Sequence, residues 1–186
     1  MRSQELREGF KENEIFLEIG TGISPSFGAE GSESTHLAMD KNFIHAKIAK
    51  DISLSRGSTG HYINADGERI PLANDSVKTI VMKDVLGEPP FQGEAKKLLL
   101  EEVVRALKAD GIIVVMETAT PMFLETIGDK RDYKAFIQNN LNQAGLNTII
   151  HSPGNAKWGE LMKKYIGQKA YGPDSFIITA TKRVKS

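Results

Sequence analysis

The sequence contains no cysteine, which excludes disulfide bonds, thiolate metal sites and a thiol nucleophile. It also has no net charge, because 24 lysine and arginine residues balance 24 aspartate and glutamate residues. A balanced charge creates no long-range attraction to phosphate backbones or anionic lipid, so nucleic acid is not a favoured partner. No apolar run approaches the roughly 18 residues that a membrane helix needs, and residues 1–10 are charged rather than signal-like. We therefore expect a soluble, cytoplasmic protein.

The composition is suited to one α/β domain. A chain of 186 residues with 40% hydrophobic content is long enough to bury a single sizeable core. Short apolar runs alternate with helical patterns, and this order predicts a mostly parallel sheet with helices on both faces. The predicted strands span residues 15–19, 35–39, 61–64, 78–82, 112–115, 147–151 and 175–181. We expect residues 1–186 to form a single domain.

Helices are predicted between these strands. Residues 43–50 carry apolar side chains at helical spacing, and residues 133–144 form a helix that Gly145 closes. Apolar residues in the segment 100–107 recur at positions i, i+3, i+4 and i+7, which predicts a helix there. Asp110-Gly111 then predicts a turn before the next strand.

Polar or glycine-rich segments follow each of the first three predicted strands. Glu18, Gly20 and Gly22 close the first strand, Asp40 ends the second, and Asp66-Gly67 follows the third. Glycines let the backbone approach a ligand closely, and in dinucleotide folds an acid about 20 residues after the glycine turn accepts hydrogen bonds from a ribose diol. A cofactor with a carboxylate, a ribose and an adenine would meet these segments in turn. The acid of the third segment is placed for the adenine amine, and the glycine amide beside it for a ring nitrogen.

In this ordered set of segments, the chain resembles the class I S-adenosylmethionine-dependent methyltransferases, particularly the small members with a minimal Rossmann-like domain. The resemblance covers roughly residues 15–118, and it includes the fourth strand with its exit at 78–86 and the segment 107–111 before the fifth strand. It implies a Rossmann-like α/β fold with a seven-stranded, mostly parallel sheet, whose antiparallel last strand lies beside the fifth. It also implies S-adenosylmethionine as the cofactor and methyl transfer to an acceptor, for which we expect a small molecule.

The resemblance also implies which residues hold the methionine and ribose parts of the cofactor. Glu18, Gly20 and Gly22 belong to the glycine-rich turn around the methionine part. Asp40 would hold the ribose hydroxyls. These four residues come from the ends of the first two strands, so they are expected at the same edge of the sheet.

Four further residues are implied for the adenine and for the neighbourhood of the donor methyl. Asp66 and Gly67 would frame the adenine, while Lys83 and Asp84 occupy the exit of the fourth strand, beside the donor methyl and the substrate. The individual roles of these last two residues do not carry over from the family. Because a sulfonium already carries an activated methyl group, a dedicated acid or base is optional, and the sequence identifies no catalytic residue.

The glycine turn departs from the family pattern at Ser24, where a third glycine often stands. Ser24-Pro25 is a good beginning for a helix, but the glycines and serines of residues 24–34 weaken its interior. We therefore expect a short or irregular first helix. An NAD-dependent oxidoreductase is an alternative function with the same strand, glycine turn and acid, although its third glycine would fall on Pro25.

A non-catalytic S-adenosylmethionine-binding regulator or partner subunit is a second alternative. The weak first helix favours it, and so do the 14 residues before the first strand, which leave little N-terminal material to cover a substrate. The four histidines have no metal-like spacing, so no metal site is predicted. The sequence leaves open whether the protein forms a homo-oligomer and which acceptor it methylates.

An amphipathic helix is predicted at residues 157–169, inserted between the last two strands. Trp158, Leu161, Met162 and Tyr165 recur at helical spacing, and lysines occupy much of the opposite face. If the preceding strand is parallel to the others, this helix begins near the ligand edge of the sheet and forms a lid or substrate wall. The alternative is that its apolar face packs on the domain or on a second subunit.

Overall fold

The computed structural model describes residues 14–23, 25, 35–55, 60–87, 93–118, 130–166 and 174–183. Within these residues all seven predicted strands are present: β1 (Ile15–Ile19), β2 (Thr35–Asp40), β3 (His61–Asn64), β4 (Val77–Lys83), β5 (Leu107–Thr118), β6 (Leu146–His151) and β7 (Ser175–Lys182). They form one sheet in the order β3-β2-β1-β4-β5-β7-β6.

The pairing of these strands confirms the predicted Rossmann-like methyltransferase fold. Neighbouring strands from β3 across to β5 pair in parallel, whereas β7 lies antiparallel between β5 and β6. The chain proceeds from β1 towards one side of the sheet and from β4 towards the other. In open α/β sheets a ligand binds at such a reversal of strand order, outside the carboxyl ends of the strands.

Helices cover the two faces of the sheet. The described helices are α1 (Phe43–Ser55), α2 (Glu94–Ala106), α3 (Lys130–Gln143) and α4 (Ala156–Leu161), with a 3-10 turn at Gly67–Arg69 and a π-helical turn at Met162–Ile166. Successive strand residues point to opposite faces. On one face the strand residues share a large core with buried residues of α2 and α3, including Leu99 and Ile137. On the other face a smaller cluster contains Val81 and Leu161.

The predicted turn at Asp110-Gly111 is wrong in its boundaries, because α2 already ends at Ala106 and β5 starts at Leu107. The Leu107 backbone is extended, and its N–H still closes the helix by donating to a carbonyl of the last turn. Pairing with β4 then jumps from Leu107 to Ile112, so the predicted turn is an irregularity within the strand. The apolar repeat had continued one residue beyond the end of the helix.

Helix α1 is present where predicted, but its large apolar side chains point outward. Phe43 and Ile44 are 65% and 64% exposed, whereas the buried residues are Ala46, Ala49 and Ser53. Small buried side chains let α1 lie close to β2 and β3. Of the predicted first helix, at residues 24–34, all but Pro25 lies outside the described residues.

The amphipathic segment after β6 forms α4 and the π-helical turn, while residues 167–169 lie outside the described part of the chain. Leu161 is buried against strand residues of the smaller core, and Trp158 and Met162 pack on the same cluster. The Tyr165 ring stacks on that of Phe16 in β1, with 6.4 Å between centroids. The apolar face of the segment formed by α4 and the π-helical turn thus packs on the sheet. In the described part of the chain, no helix is long and apolar enough to cross a membrane.

Candidate functional site

A cleft opens at the carboxyl edge of the sheet, where the strand order reverses. Its volume is about 360 Å³, a size that suits a small-molecule ligand. Residues that follow β1, β2, β3 and β4 line it. The lining includes five of the eight predicted cofactor-binding residues: Gly20, Gly22, Asp40, Gly67 and Asp84.

The glycine turn after β1 lines the cleft with backbone that carries no side chains at Gly20 and Gly22. Gly20 and Gly22 have φ angles of 68° and 53°, a left-handed conformation that glycine adopts without strain. The Gly20 N–H donates to the Met39 carbonyl oxygen at 2.8 Å. A Cβ on Gly20 would lie 2.6 Å from Val85 Cγ2, so a larger residue would displace the wall of the cleft. The turn therefore depends on glycine for both conformation and space.

Asp40 holds the backbone after β1 and the backbone after β2 through its carboxylate. Its Oδ2 accepts a hydrogen bond from the Gly22 N–H at 2.8 Å, and its Oδ1 accepts one from the Asn42 N–H at 2.8 Å. The residue is 8% exposed and lines the cleft. A carboxylate offers about four acceptor positions, so Asp40 retains the capacity to accept hydrogen bonds from ligand hydroxyls.

The segment after β3 brings its backbone to the cleft, while the predicted Asp66 carboxylate lies outside the cleft lining. Gly67 is buried and lines the cleft, and a Cβ there would lie 2.7 Å from Leu99 Cδ1. Asp66 caps the 3-10 turn, since its Oδ1 accepts a hydrogen bond from the Glu68 N–H at 3.1 Å. Its side chain is exposed, and Asp66 is absent from the cleft lining, whereas Ala65 is present.

Glu18 and Lys83 pair with each other behind the cleft and do not line it. Lys83 Nζ lies 2.9 Å from Glu18 Oε1, and the two side chains are 8% and 0% exposed. Glu18 belongs to β1 and Lys83 to β4, so this buried ion pair joins the central strands at their carboxyl ends.

Asp84 follows Lys83 and occupies the cleft wall in an unusual backbone conformation. Its φ is 51°, which is uncommon for a residue other than glycine. The Asp84 N–H donates to the Met116 carbonyl oxygen at 2.8 Å, and Asp84 Oδ1 accepts from the Thr118 N–H at 2.8 Å. Both bonds tie the exit of β4 to β5. Strained residues that persist in a well-bonded frame are often found at functional sites.

Sequence reasoning missed several cleft residues. His45, one of the four histidines without metal-like spacing, lines the cleft, with Nδ1 3.7 Å from Asp40 Oδ1. Lys41 and Val85 also line the cleft. The available signal was sequence proximity to Asp40 and Asp84, since residues just beyond a strand end share its edge of the sheet.

Glu117 was also missed, and it lies directly behind the cleft wall. It is 1% exposed, and its Oε1 accepts hydrogen bonds from the Val85 and Leu86 N–H groups at 3.1 and 2.8 Å. Its Oε2 accepts a hydrogen bond from the Tyr133 hydroxyl at 2.7 Å. Burial is the main cause that raises the pKa of Glu117 to about 7. The sequence signal for Glu117 was its position as an acid at the carboxyl end of a buried strand. Asp40 was predicted from the same kind of position.

Among the described residues, no group of three or more histidine, aspartate or glutamate side chains is arranged to hold a metal ion. The polar groups that line the cleft are backbone amides, the Asp40 and Asp84 carboxylates, and the Lys41 and His45 side chains. This set suits recognition of a polar small molecule.

Neither a protein-family model nor a curated protein matches the chain. Solved structures do match it. An S-adenosylmethionine-dependent methyltransferase from Methanosarcina mazei is 14% identical, with 98% of each chain covered and a TM-score of 0.65. An S-adenosylmethionine-dependent methyltransferase from Aquifex aeolicus is 17% identical, with 95% of this chain and 87% of that chain covered and a TM-score of 0.62. The [4+2]-cyclase SpnF is 15% identical, with 93% and 76% covered and a TM-score of 0.63.

These similarities establish the fold. The chain has the Rossmann-like methyltransferase fold over nearly its whole length, with the same mixed seven-stranded sheet in its described residues. Sequence identities of 14 to 17% carry no further conclusion about activity. Any assignment of function therefore depends on the cleft residues themselves.

Proposed function

We propose that the protein binds S-adenosylmethionine in the cleft at the carboxyl edge and transfers its methyl group to a small-molecule acceptor. One observation carries this proposal: the glycine turn after β1, Asp40 at the end of β2 and the segment after β3 line a single cleft, as the cofactor requires. The solved methyltransferases that share the fold support the same function.

The cleft residues fit the cofactor in three respects. Gly22 lines the cleft, and a Cβ there would meet no other atom within 4 Å, so the turn leaves space for a ligand. Asp40 is fixed by two backbone amides and keeps acceptor capacity for ribose hydroxyls. Gly67 presents its backbone where Leu99 leaves no room for a side chain, which suits an adenine edge.

When bound, S-adenosylmethionine supplies a methyl group already activated by the sulfonium. The chain then has to bind and orient the two reactants and exclude water. Gly20 and Gly22 would face the methionine part, Asp40 the ribose, and Ala65 and Gly67 the adenine. Asp84 would stand beside the reacting groups. We assign no acid or base.

The sheet order argues against an NAD-dependent oxidoreductase. The dinucleotide-binding fold has the all-parallel order 3-2-1-4-5-6, whereas β7 here is antiparallel and inserted beside β5. The fold alone does not argue for methyl transfer, because one similar structure is that of a [4+2]-cyclase. A non-catalytic S-adenosylmethionine-binding regulator is the remaining alternative, and the acceptor screen below decides between it and the enzyme.

Two experiments test the proposal. Isothermal titration of the full chain with S-adenosylhomocysteine and with NAD should show binding of the first alone. A screen of small-molecule acceptors with a methyl-labelled donor should then show transfer. Binding of NAD in place of S-adenosylhomocysteine would overturn the cofactor assignment. Binding of S-adenosylhomocysteine with no transfer to any acceptor would favour the regulator.

A further inference from the structure

Reciprocal hydrogen bonds from backbone amides to carboxylates join the carboxyl ends of β4 and β5. Asp84, just after β4, accepts a hydrogen bond from the Thr118 N–H at the end of β5. Glu117 of β5 accepts hydrogen bonds from the Val85 and Leu86 N–H groups, which follow β4. Each strand thus supplies a carboxylate to the backbone of the other, and the chain after β4 is held from both directions.

The carboxylate of Glu117 is enclosed beneath this segment. Its Oε2 accepts a hydrogen bond from the Tyr133 hydroxyl at 2.7 Å, and the Tyr133 ring packs edge-on against Phe176 with 5.5 Å between centroids. A Cβ on Gly87 would lie 2.1 Å from Tyr133 Oη and 2.9 Å from Glu117 Oε2. The backbone at Gly87 therefore passes directly over the Glu117–Tyr133 pair, and nothing larger than glycine fits.

The segment held by Glu117 is a wall of the cleft. Asp84 and Val85 both line the cleft, and Val85 Cγ2 occupies the space where a Cβ on Gly20 would stand. Protein interiors are close-packed, so a shift of Val85 would reach the glycine turn. The link from Glu117 to the cofactor site is therefore short. The Glu117 carboxylate accepts a hydrogen bond from the Val85 amide, and the Val85 side chain lies against Gly20.

We propose that Glu117 is a positioning residue of the cofactor site, and that its carboxylate form holds the Val85–Leu86 backbone against the glycine turn more firmly than its protonated form does. The proposal rests on the proposed function, because it takes S-adenosylmethionine and its product as the ligands of the cleft. Charge-assisted hydrogen bonds are roughly twice as strong as neutral ones, and three donors face this carboxyl group.

Three elements bring titratable groups to Glu117. Asp84 in the segment after β4 raises its pKa, Tyr133 of α3 lowers it through the hydrogen bond, and Lys96 of α2 interacts with it electrostatically. Lys96 is itself buried, and burial lowers its pKa to about 8. With the pKa of Glu117 raised to about 7, this carboxyl group changes its charge within the neutral range.

The test is the affinity for S-adenosylhomocysteine between about pH 5.5 and 8.5, measured by isothermal titration of the full chain. We expect the natural sequence to bind about fivefold more tightly at the upper end of this range than at the lower end. Glu117→Gln keeps an oxygen for the two amides but cannot ionise, so its affinity should stay near the low-pH value. Tyr133→Phe removes a hydrogen bond that lowers the pKa of Glu117, so the midpoint should move to higher pH.

Asp110→Asn is the matched control, because it makes the same change of acid to amide on β5, far from the cleft. Asp110 pairs with Lys78, whose hydrogen bond lowers the pKa of Asp110 below its usual range, so its variant should reproduce the natural profile. Any change in the protonation of S-adenosylhomocysteine itself affects the natural sequence and all variants alike.

Each remaining outcome decides against the proposal. A pH profile that persists in Glu117→Gln would assign the pH dependence to another group and would overturn the proposal. A flat profile in the natural sequence would also overturn it while leaving the proposed function intact. No binding by the natural sequence at any pH would instead overturn the proposed function, and this inference with it.

Discussion

Lys83 Nζ lies 2.9 Å from Glu18 Oε1, and this pair links β1 to β4 where the strand order of the sheet reverses. Both side chains are almost fully buried, so neither charge is stabilised by bulk water. The pair lies next in sequence to cleft residues on both strands, namely Ile19 and Asp84. It therefore anchors the glycine turn and the exit of β4 to each other.

Lys83→Met should lower the free energy of unfolding by about 3 to 5 kcal/mol, because the buried Glu18 charge loses its ammonium partner. The double variant Glu18→Leu, Lys83→Met should be clearly more stable than the single variant, because neither charge of this pair is then left buried. Urea denaturation measures both. The control Lys97→Met breaks an exposed pair with Glu94 and should cost less than about 1 kcal/mol. A double variant as unstable as Lys83→Met would contradict this account of the pair.

Glu117 should make stability depend on pH. Its pKa is raised from 4.5 to about 7 in the folded protein, so the folded state binds the proton more tightly than the unfolded state. The stabilisation is fully present below pH 4.5 and is lost as the pH rises through about 7. Relative to Glu117→Gln, the natural protein should lose roughly 3 kcal/mol of unfolding free energy across this window. Parallel pH dependences for the two proteins would show that this carboxyl group does not titrate as described.

Leu161 tests the role of α4. Leu161→Ala should cost about 2 to 5 kcal/mol of unfolding free energy, because the side chain is buried against the sheet. Lys163→Ala, an exposed change in the adjoining π-helical turn, should cost less than about 0.5 kcal/mol. Because the helix packs on the sheet face, the affinity of folded Leu161→Ala for S-adenosylhomocysteine should stay unchanged. A large loss of affinity at full folding would instead favour the lid.

Asp66 was predicted to contact the adenine, and in the structure its carboxylate caps the 3-10 turn that carries Gly67. Asp66→Ala should weaken binding of S-adenosylhomocysteine, because the cap is removed together with the predicted acceptor for the adenine amine. Asp66→Asn retains an oxygen for the Glu68 N–H, so isothermal titration of both variants separates the two effects. If Asp66→Asn binds as the natural protein does, the residue acts as a cap alone.

The fold and the glycine turn could be predicted because their signals are local. Apolar runs of strand length mark the strands, and residues at the ends of parallel strands meet at one edge. Gly20, Gly22 and Asp40 follow from that rule alone. The outward apolar face of α1 could not be predicted in this way, because spacing indicates a helix without showing which side faces the sheet. Here small residues such as Ala46 and Ala49 form the buried side.

The roles of Lys83 and Glu117 depend on partners distant in sequence. Lys83 and Asp84 are adjacent, yet the first pairs with Glu18 while the second lines the cleft. Glu117 accepts hydrogen bonds from the backbone after β4 and from Tyr133 of α3, both of which are more than ten residues away in sequence. Such tertiary contacts leave no periodic signal in the sequence.

The most direct test of the central claim is isothermal titration of S-adenosylhomocysteine into the natural protein and into Asp40→Ala. The natural protein should bind, and the variant should lose about 1 to 3 kcal/mol of binding free energy, because ligand hydroxyls and the Gly22 and Asn42 amides lose their acceptor. Asp51→Ala, an exposed acid on α1, is the matched control and should bind like the natural protein. No binding by the natural protein, or equal binding by Asp40→Ala, would contradict the assignment of this cleft to S-adenosylmethionine.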